Sequence, residues 1–400
     1  MNKLIVYICF YWPVVCSAIN IQGLVNMFIS NSLSQLLAYF NLILIIAGIF
    51  LVKKEPSNFS KTNKIWLIFY ICYYSFSLLA SGIHGFNYNI LATFVAPIYF
   101  IGFYVLLSDP DQLKPFLKIM AISFVIASFL TIYLYNIKFN YGDPNILASR
   151  IDRAEGVFGD ANNAALVSII AYILFNKIYN PSKNIFRACK ILILAILFYS
   201  VFLTFSTTGL FVFTVVFFVS NYKYFTGFRL VILGVLITLL YIGIFSIKSQ
   251  TKDLDLSAQQ IHKIENVINL LTLNLEKVDS SGRGELLENL LPYLYENPLL
   301  GNGINFSMAM RGHNTYIGVW GDAGIFTFLF FIFMLCFYFL KTFSLDPEQR
   351  YFSMSILIVL YIFMLSLQTV INQPNLIVLV VFVGYMIDYN KSKKINIFGI

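Results

Sequence analysis

A short polar stretch, Arg311-Gly312-His313-Asn314, runs directly into a long apolar segment. A histidine imidazole titrates near neutrality and can take a proton from a hydroxyl group, whereas an arginine guanidinium grips anions with paired hydrogen bonds. Polar side chains at such an apolar boundary are costly to desolvate, so they commonly bind or react. His313 is therefore the candidate catalytic residue, with Arg311 and Asn314 as candidate binding residues. The structural alternative is a histidine that caps or anchors the following helix.

Three further arginines are candidate binding residues, and Arg283 among them is a candidate phosphate ligand. Arg283 lies in Ser281-Gly282-Arg283-Gly284-Glu285, at a predicted helix start, where unpaired helical N–H groups favour anions. Arg150 and Arg153 lie in an earlier polar segment, ahead of Asn162, which is predicted to cap the next helix. Acidic neighbours at 152, 155 and 160 could simply pair with the two earlier arginines. A solvated or ion-paired role remains open for all three.

Asp322 follows His313 by nine residues. A helix that began at His313 would place Asp322 about 13 Å deeper and on the opposite face. A carboxylate at that depth must face protein or water, which makes Asp322 a candidate substrate-binding residue. Gly318, Gly321 and Gly324 allow a bend that would bring both side chains to one site. The same glycines would equally form a smooth ridge for close helix packing.

The elements that must position these residues are predicted to be membrane helices. The chain has 400 residues, of which 59% are hydrophobic and only 12% charged. Continuous apolar runs exclude a soluble domain and the alternating pattern of an outer-membrane barrel. We expect an all-α, polytopic membrane protein forming a single domain, 1–400. About twelve spans are predicted, near 4–28, 33–52, 65–83, 90–107, 116–135, 161–176, 190–206, 209–221, 229–247, 314–340, 351–370 and 375–388.

The distribution of basic residues predicts the orientation of the spans. If the N-terminus is cytoplasmic, two thirds of the 27 Lys and Arg residues fall in cytoplasmic segments, so both termini are predicted to be cytoplasmic. The net charge of +8 is then a topology signal and not a nucleic-acid footprint. Two long extracytoplasmic loops remain, 136–160 and 248–312. The second contains apolar residues at helical spacing over 261–278 and again over 285–295, which indicates two helices.

Three sequence patches resemble the bacterial O-antigen polymerase/O-antigen ligase superfamily. They are His313-Asn314 leading to Asp322-Ala323-Gly324-Ile325, Arg283 ahead of Pro298-Leu299-Leu300-Gly301-Asn302-Gly303, and Arg153 ahead of Gly156-Val157-Phe158-Gly159-Asp160-Ala161-Asn162. The number of spans and the late, large external loop are also similar to this superfamily.

The resemblance implies a GT-C-like membrane glycosyltransferase that needs no metal, nucleotide or other cofactor. Donor and acceptor would be glycans on undecaprenyl diphosphate, at the periplasmic face of the bacterial inner membrane, with a chain-length regulator as a further partner. Arg283 and Arg153 would hold the diphosphate, and His313 would orient or deprotonate the acceptor hydroxyl. The first-loop patch favours a polymerase. An O-antigen ligase, which transfers the glycan to lipid A-core, and a flippase or other carrier are the alternatives.

The chain also departs from the superfamily pattern. Many members carry an arginine in the Ser-x-Arg patch at a short external turn, where this sequence reads Ser206-Thr207-Thr208-Gly209. Either Arg150 or Arg311 supplies the missing cation, or the site is assigned incorrectly.

Overall fold

The described residues of this protein, in a computed structural model, are 3–54, 56–85, 93–139, 152–225, 258–271, 283–368 and 370–392. Regular structure within these ranges is helical throughout. The α-helices are α1 (Lys3–Ala18, with a π-helical turn at Tyr7–Tyr11), α2 (Ile21–Phe28), α3 (Asn31–Leu51), α4 (Lys64–His84), α5 (Val95–Leu106), α6 (Leu113–Asn136), α7 (Ala161–Ile178), α8 (Asn184–Leu203), α9 (Thr207–Ser220), α10 (Ala258–Leu271), α11 (Arg283–Glu296), α12 (Phe306–Ala309), α13 (Thr315–Thr342), α14 (Pro347–Phe363) and α15 (Pro374–Ser392).

Six of these helices are long and apolar enough to cross a membrane, namely α3, α4, α6, α7, α8 and α13. Helices α1 and α2 would make a seventh span if the bent pair is taken as one. This all-helical architecture is consistent with a polytopic membrane protein, as the composition predicts. The total of twelve spans stays a prediction, and the predicted span 229–247 lies outside the described residues.

The first predicted span, 4–28, is not continuous. Helices α1 and α2 meet at an angle of 63°. The break occurs at Asn20, whose backbone is left-handed with φ of 52°, a conformation that asparagine tolerates better than most residues. Its side chain accepts a hydrogen bond from the Gly23 N–H at 3.3 Å and donates one to the Val157 carbonyl at 2.7 Å. The first bond caps the start of α2, and the second joins the break to the segment before α7.

Two helices form the centre of the bundle. Nearly every residue of α7 from Ala161 to Leu174 is buried, and so is every residue of α15 from Asn375 to Ile387. Both helices are apolar on all sides, which is the pattern expected for a helix enclosed by others. By contrast, α3 and α8 expose most of their apolar side chains, including Ile43 on α3 and Ile191 on α8. These exposed faces fit contact with lipid.

The candidate site is carried by helices that pack in pairs. Helix α6 packs against α7, α7 against α8, and α4 against α13. Helix α9 packs against α14, and α5 against α15. The helices that precede α13, α10 and α11, occupy the two stretches where apolar spacing predicts helices, although residues 272–282 lie outside the described residues.

Helix α13 is interrupted at Gly324, where φ is 79° and ψ is 174°. The interruption leaves carbonyl groups and one N–H group of α13 without hydrogen-bond partners in the helix. Residues 298–303 bond to these groups instead. The Asn302 N–H donates to the Gly321 carbonyl at 2.8 Å, and the Ile325 N–H donates to the Pro298 carbonyl at 2.8 Å. Backbone hydrogen bonds therefore join the bend in α13 to the turn after α11.

The three glycines of α13 divide between the two predicted roles. Gly324 makes the bend, whereas Gly318 and Gly321 lie against Ser307 and Leu294 as a smooth packing surface. Because the bend follows Asp322 in sequence, the helix between its start and Asp322 is regular. The bend therefore does not alter the helical segment between Thr315 and Asp322.

We expect Gly324→Ala to destabilise the protein by about 2–5 kcal/mol, because a Cβ there would lie 1.9 Å from the Leu299 carbonyl oxygen on a backbone with positive φ. Thermal unfolding of the purified protein in detergent measures this loss. The matched control is Gly82→Ala on α4, where an added Cβ meets no atom within 4 Å. Equal unfolding temperatures for both variants would contradict the assigned role of Gly324.

Candidate functional site

His313 lies in a sharp turn immediately before α13. Its backbone is left-handed, with φ of 44°, as is that of Arg311, with φ of 54°. Both side chains are exposed. The helix cap is not His313 but Asn314, whose Oδ1 accepts hydrogen bonds from the Tyr316 and Ile317 N–H groups at 2.9 and 3.2 Å. The imidazole is therefore left available at the surface while its neighbour closes the helix.

The start of α13 is anchored to the end of α14 and the turn that follows it. The Thr315 N–H donates to the Met364 carbonyl at 2.7 Å, and the Thr315 hydroxyl donates to the Leu367 carbonyl at 2.5 Å. At the next residue, the Tyr316 hydroxyl donates to the Tyr361 carbonyl at 3.0 Å. Such anchoring fixes the position of a residue two places earlier without contacting its side chain.

Asp322 is buried beneath this turn, with 4% of its surface exposed. One carboxylate oxygen accepts from the Tyr73 hydroxyl of α4 at 2.7 Å. The other accepts from the Ser307 N–H and hydroxyl of α12, at 2.8 and 2.6 Å. Since α13 begins at Thr315, Asp322 lies about 10 Å below the helix start. Its carboxylate thus holds α12, which leads directly into Arg311 and His313.

Two amide side chains missed by the sequence analysis line the same small cavity as Asp322 and Ser307. These are Gln368 and Asn372, in the polar turn between α14 and α15. Gln368 Nε2 and Asn372 Oδ1 are buried and make no hydrogen bond within the described residues. Gln368 Nε2 also lies 3.6 Å from where a Cβ on Gly312 would stand, beside His313. The signal was present as a run of amide residues between two apolar spans.

Arg153 lies at a second polar patch, where the end of α8 meets the segment before α7. Its Nε donates to the Thr204 carbonyl at 2.9 Å, and the next N–H, of Ala154, donates to the Leu203 carbonyl at 2.9 Å. Gln260 of α10 donates to the Asp152 carbonyl at 2.9 Å. Arg153 is thereby held beside the short turn that lacks the arginine expected from the superfamily pattern.

The cap of α7 was predicted to be Asn162, and this prediction is wrong. Asp160 is the cap, because its carboxylate accepts from the Asn163 N–H at 2.8 Å. Asn162, two residues further, instead accepts from the Ser206 hydroxyl at 2.7 Å. The Asp-x-Asn spacing therefore separates two tasks: the carboxylate closes the helix and the amide joins it to the turn at 204–209.

The carboxylate of Glu155 lies in the electrostatic field of this patch. Partial desolvation raises its pKa above the ordinary value, the nearby Asp160 carboxylate raises it further, and Arg153 opposes both effects. Arg153 therefore interacts electrostatically with the Glu155 carboxylate while its Nε donates to the Thr204 carbonyl.

The two patches are linked by the turn that carries Gln368 and Asn372. Gln373, at the end of that turn, donates to Asn163 Oδ1 on α7 at 2.8 Å. The turn also binds Thr315 through the Leu367 carbonyl. One short segment therefore contacts both the Arg153–Asn162 patch and the start of the His313 helix.

The remaining candidate arginines are placed only in part. Arg283 is the first residue of α11, and its side chain, like all of Arg150, is outside the described residues. Leu290 of the same helix lies 3.3 Å from a Cβ built on Gly312. Arg283 precedes Leu290 by seven residues, which is nearly two whole helical turns. The backbone of Arg283 therefore lies on the same face of α11 as that of Leu290, about 10 Å away along the helix axis. The predicted meeting of Arg150, Arg153, Arg283, Arg311 and His313 stays a prediction.

A comparison with known families bears on this arrangement. Residues 192–332 match a family model described as O-antigen ligase. The match confirms the resemblance to the O-antigen polymerase/ligase superfamily and includes Arg283, Arg311, His313, Asn314 and Asp322. Arg150 and Arg153 precede the matched residues. No curated protein matches the chain.

We expect Asp322→Ala to loosen the segment from α12 to His313, because Tyr73 and Ser307 would lose buried partners, a cost of about 3–5 kcal/mol. Hydrogen–deuterium exchange should show faster exchange in peptides covering 303–314. Ser307→Ala should give a smaller change in the same peptides, and Asp111→Ala, at an exposed carboxylate, should give none. Unchanged protection at 303–314 in Asp322→Ala would exclude the anchoring role.

Proposed function

We propose that this protein is a membrane glycosyltransferase that polymerises undecaprenyl-diphosphate-linked oligosaccharide repeats into O-antigen or a similar surface polysaccharide. The observation that carries the proposal is the family match over the residues that position His313 on an anchored, exposed turn. The predicted location is the periplasmic face of the bacterial inner membrane, with both chain termini cytoplasmic. A chain-length regulator is a further proposed partner.

In the proposed reaction, a hydroxyl of the acceptor glycan attacks the anomeric carbon of the donor glycan. The bond from that carbon to the diphosphate oxygen breaks, and undecaprenyl diphosphate leaves. His313 takes the hydroxyl proton as the new glycosidic bond forms. The leaving group develops negative charge, which Arg153 and Arg283 stabilise, with Arg150 and Arg311 as further cations. No metal or cofactor is required by this scheme.

The anchoring described above suits this chemistry. Displacement at the anomeric carbon needs the acceptor hydroxyl in line with the breaking bond, so the proposed base, His313, must be held in a fixed position. His313 follows α12, which Asp322 holds, and precedes Thr315, which the 364–367 segment holds. The partly buried amides of Asn314 and of the cavity residue Gln368 are proposed to orient sugar hydroxyls.

A second candidate is O-antigen ligase activity, and the description of the matching family model favours it. The donor and the leaving group would be the same, and the acceptor would be lipid A-core. A flippase or ion-coupled carrier is less well supported. In the described spans the buried carboxylate, Asp322, accepts three hydrogen bonds from protein groups, which leaves it poorly suited to bind a coupling ion.

Deletion of the gene distinguishes the three activities through the surface glycan. Single repeats attached to the core indicate loss of a polymerase. A bare core with polymer still on the lipid carrier indicates loss of a ligase. Repeats confined to the inner leaflet indicate loss of a flippase and would overturn the proposal of a transferase.

We expect His313→Ala to abolish chain extension in the complemented deletion strain, because the acceptor hydroxyl loses its base, while the protein accumulates normally. Gel electrophoresis of the surface glycan and immunoblotting of the membrane fraction measure the two quantities. His84→Ala, at an exposed histidine ending α4, is the matched control and should leave the polymer unchanged. Normal polymer from His313→Ala would remove His313 from the reaction.

We expect Arg283→Lys to lower polymer yield at least tenfold, because a point charge does not reproduce the two-pronged guanidinium grip on a diphosphate. The readout is the same glycan gel, with protein level as the normalisation. Arg187→Lys, at an exposed arginine of α8 on the opposite predicted face, is the control. Full activity of Arg283→Lys would make Arg283 a structural residue.

A further inference from the structure

A polar cavity lies at the other end of the bundle, away from Arg153 and His313. It is enclosed by the ends of α7 and α9, the first half of α8, the turn at Tyr222–Tyr224 and the start of α14. The volume of the cavity is about 710 Å³ when the solvent-filled opening is included. The charge pattern of the sequence predicts that this end is cytoplasmic.

Three lysines from three different elements line this cavity, which we call the lysine cavity. They are Lys177 of α7, Lys190 of α8 and Lys223 of the turn after α9. Glu348 is the one carboxylate among the described lining residues; it forms an ion pair with Lys177 and lies 3.9 Å from Lys223. Three ammonium groups against one carboxylate leave an excess of two positive charges.

Lys190 is held in place by neutral oxygens. Lys190 Nζ donates to the Asn176 carbonyl at 2.6 Å and to Asn180 Oδ1 at 2.8 Å. Asn180 in turn donates to the Lys177 carbonyl at 2.9 Å. Within the described residues, no carboxylate lies within ion-pairing distance of Lys190. Its ammonium is therefore oriented by dipoles, while its charge is left for another anion to balance.

Part of the cavity lining is aromatic. The rings of Tyr222 and Tyr351 stack with their centroids 3.9 Å apart, which ties the turn after α9 to α14. Lys223, with 59% of its side chain exposed, stands at the mouth, whereas Lys177 is 17% exposed. The cavity thus offers an outer cation for first contact and inner hydrogen-bonding groups for a bound headgroup.

From this geometry we propose that the lysine cavity binds a phosphate-bearing headgroup of an anionic lipid in the adjoining leaflet. Basic pockets between membrane helices are suited to such headgroups, since a phosphate ester supplies the missing negative charge. The apolar exposed face of α8, which carries Lys190, gives the acyl chains a surface to lie on. This site is separate from the proposed transferase centre.

The test uses the purified full-length protein in a neutral detergent. Short-chain phosphatidylglycerol is titrated, and the rise in unfolding temperature gives its apparent affinity. Parallel titrations use short-chain phosphatidylcholine, glycerol phosphate and inorganic phosphate. We expect stabilisation by phosphatidylglycerol and a much weaker effect of phosphatidylcholine. Equal stabilisation by inorganic phosphate or glycerol phosphate would identify a soluble phosphate as the ligand of the same site.

The decisive variant is Lys190→Gln/Lys223→Gln, for which we expect about thirtyfold weaker binding of phosphatidylglycerol, as the loss of two charges near a membrane surface predicts. The charge-matched control is Lys53→Gln/Lys183→Gln, two exposed lysines of the same predicted face outside the cavity. Lys190→Arg/Lys223→Arg should retain binding.

Equal affinities for the cavity variant and its control would overturn the proposal, as would the absence of any stabilisation of the unmodified protein. If the double variant does not fold, the single Lys223→Gln at the cavity mouth decides. It should bind about fivefold more weakly, and unchanged binding would also overturn the proposal. Glycan polymerisation is not needed for this readout, so its outcome is independent of the proposed transferase activity.

Discussion

The carboxylate of Asp322 is the interaction on which the geometry of the candidate site depends. It joins three elements, α4 through Tyr73, α12 through Ser307 and its own helix α13. In an apolar interior a carboxylate is tolerated only when its oxygens are occupied by donors, and here both are. The same bonds that solvate Asp322 fix α12, and α12 determines where the chain turns toward Arg311 and His313. A buried group thereby positions an exposed one.

Backbone contacts around Gly324 reinforce this arrangement. The break in α13 exposes helical carbonyls that residues 298–303 satisfy, so the turn after α11 is bonded to α13 at the level of Asp322. Helices α11 and α12 are therefore both held by α13 near Asp322, α11 through the turn that follows it and α12 through Ser307. The start of α13, by contrast, is bonded to the 364–367 segment. The turn that carries Arg311 and His313 is held from both sides while these two side chains remain at the surface.

The two ends of the bundle carry positive charge in different ways. At the end with His313, Arg153 and Arg311 lie in loop segments, and Arg153 donates to the Thr204 carbonyl beside Ser206-Thr207-Thr208-Gly209, where the superfamily pattern expects a cation. At the other end, three lysines surround a cavity with a single described carboxylate. Guanidinium groups suit a bidentate grip on a diphosphate, whereas ammonium groups act as point charges toward a headgroup.

Much of the architecture was predictable because a membrane helix can be recognised from its own apolar sequence. Long apolar runs predict the positions of α3, α4, α6, α7, α8 and α13 without knowledge of any partner. The break at Asn20 was not predicted, because an asparagine within an apolar run carries no local signal that its amide will bond to Val157. The cap of α7 was assigned to the wrong member of an Asp-x-Asn pair for a similar reason: both side chains can cap, and only the contact with Ser206 distinguishes them.

The sequence by itself determined the helical membrane class, the superfamily resemblance and the identity of the reactive candidates, since these follow from residue type, short spacing and apolar length. Only the tertiary structure decided that Asp322 is a buried anchor, that Gln368 lies beside Gly312, and that three lysines share one cavity. These facts rest on contacts between residues far apart in the chain, such as Tyr73 and Asp322, 249 positions apart. The local sequence does not show which distant group will form a hydrogen bond with a buried polar atom, because that partner depends on how whole helices pack.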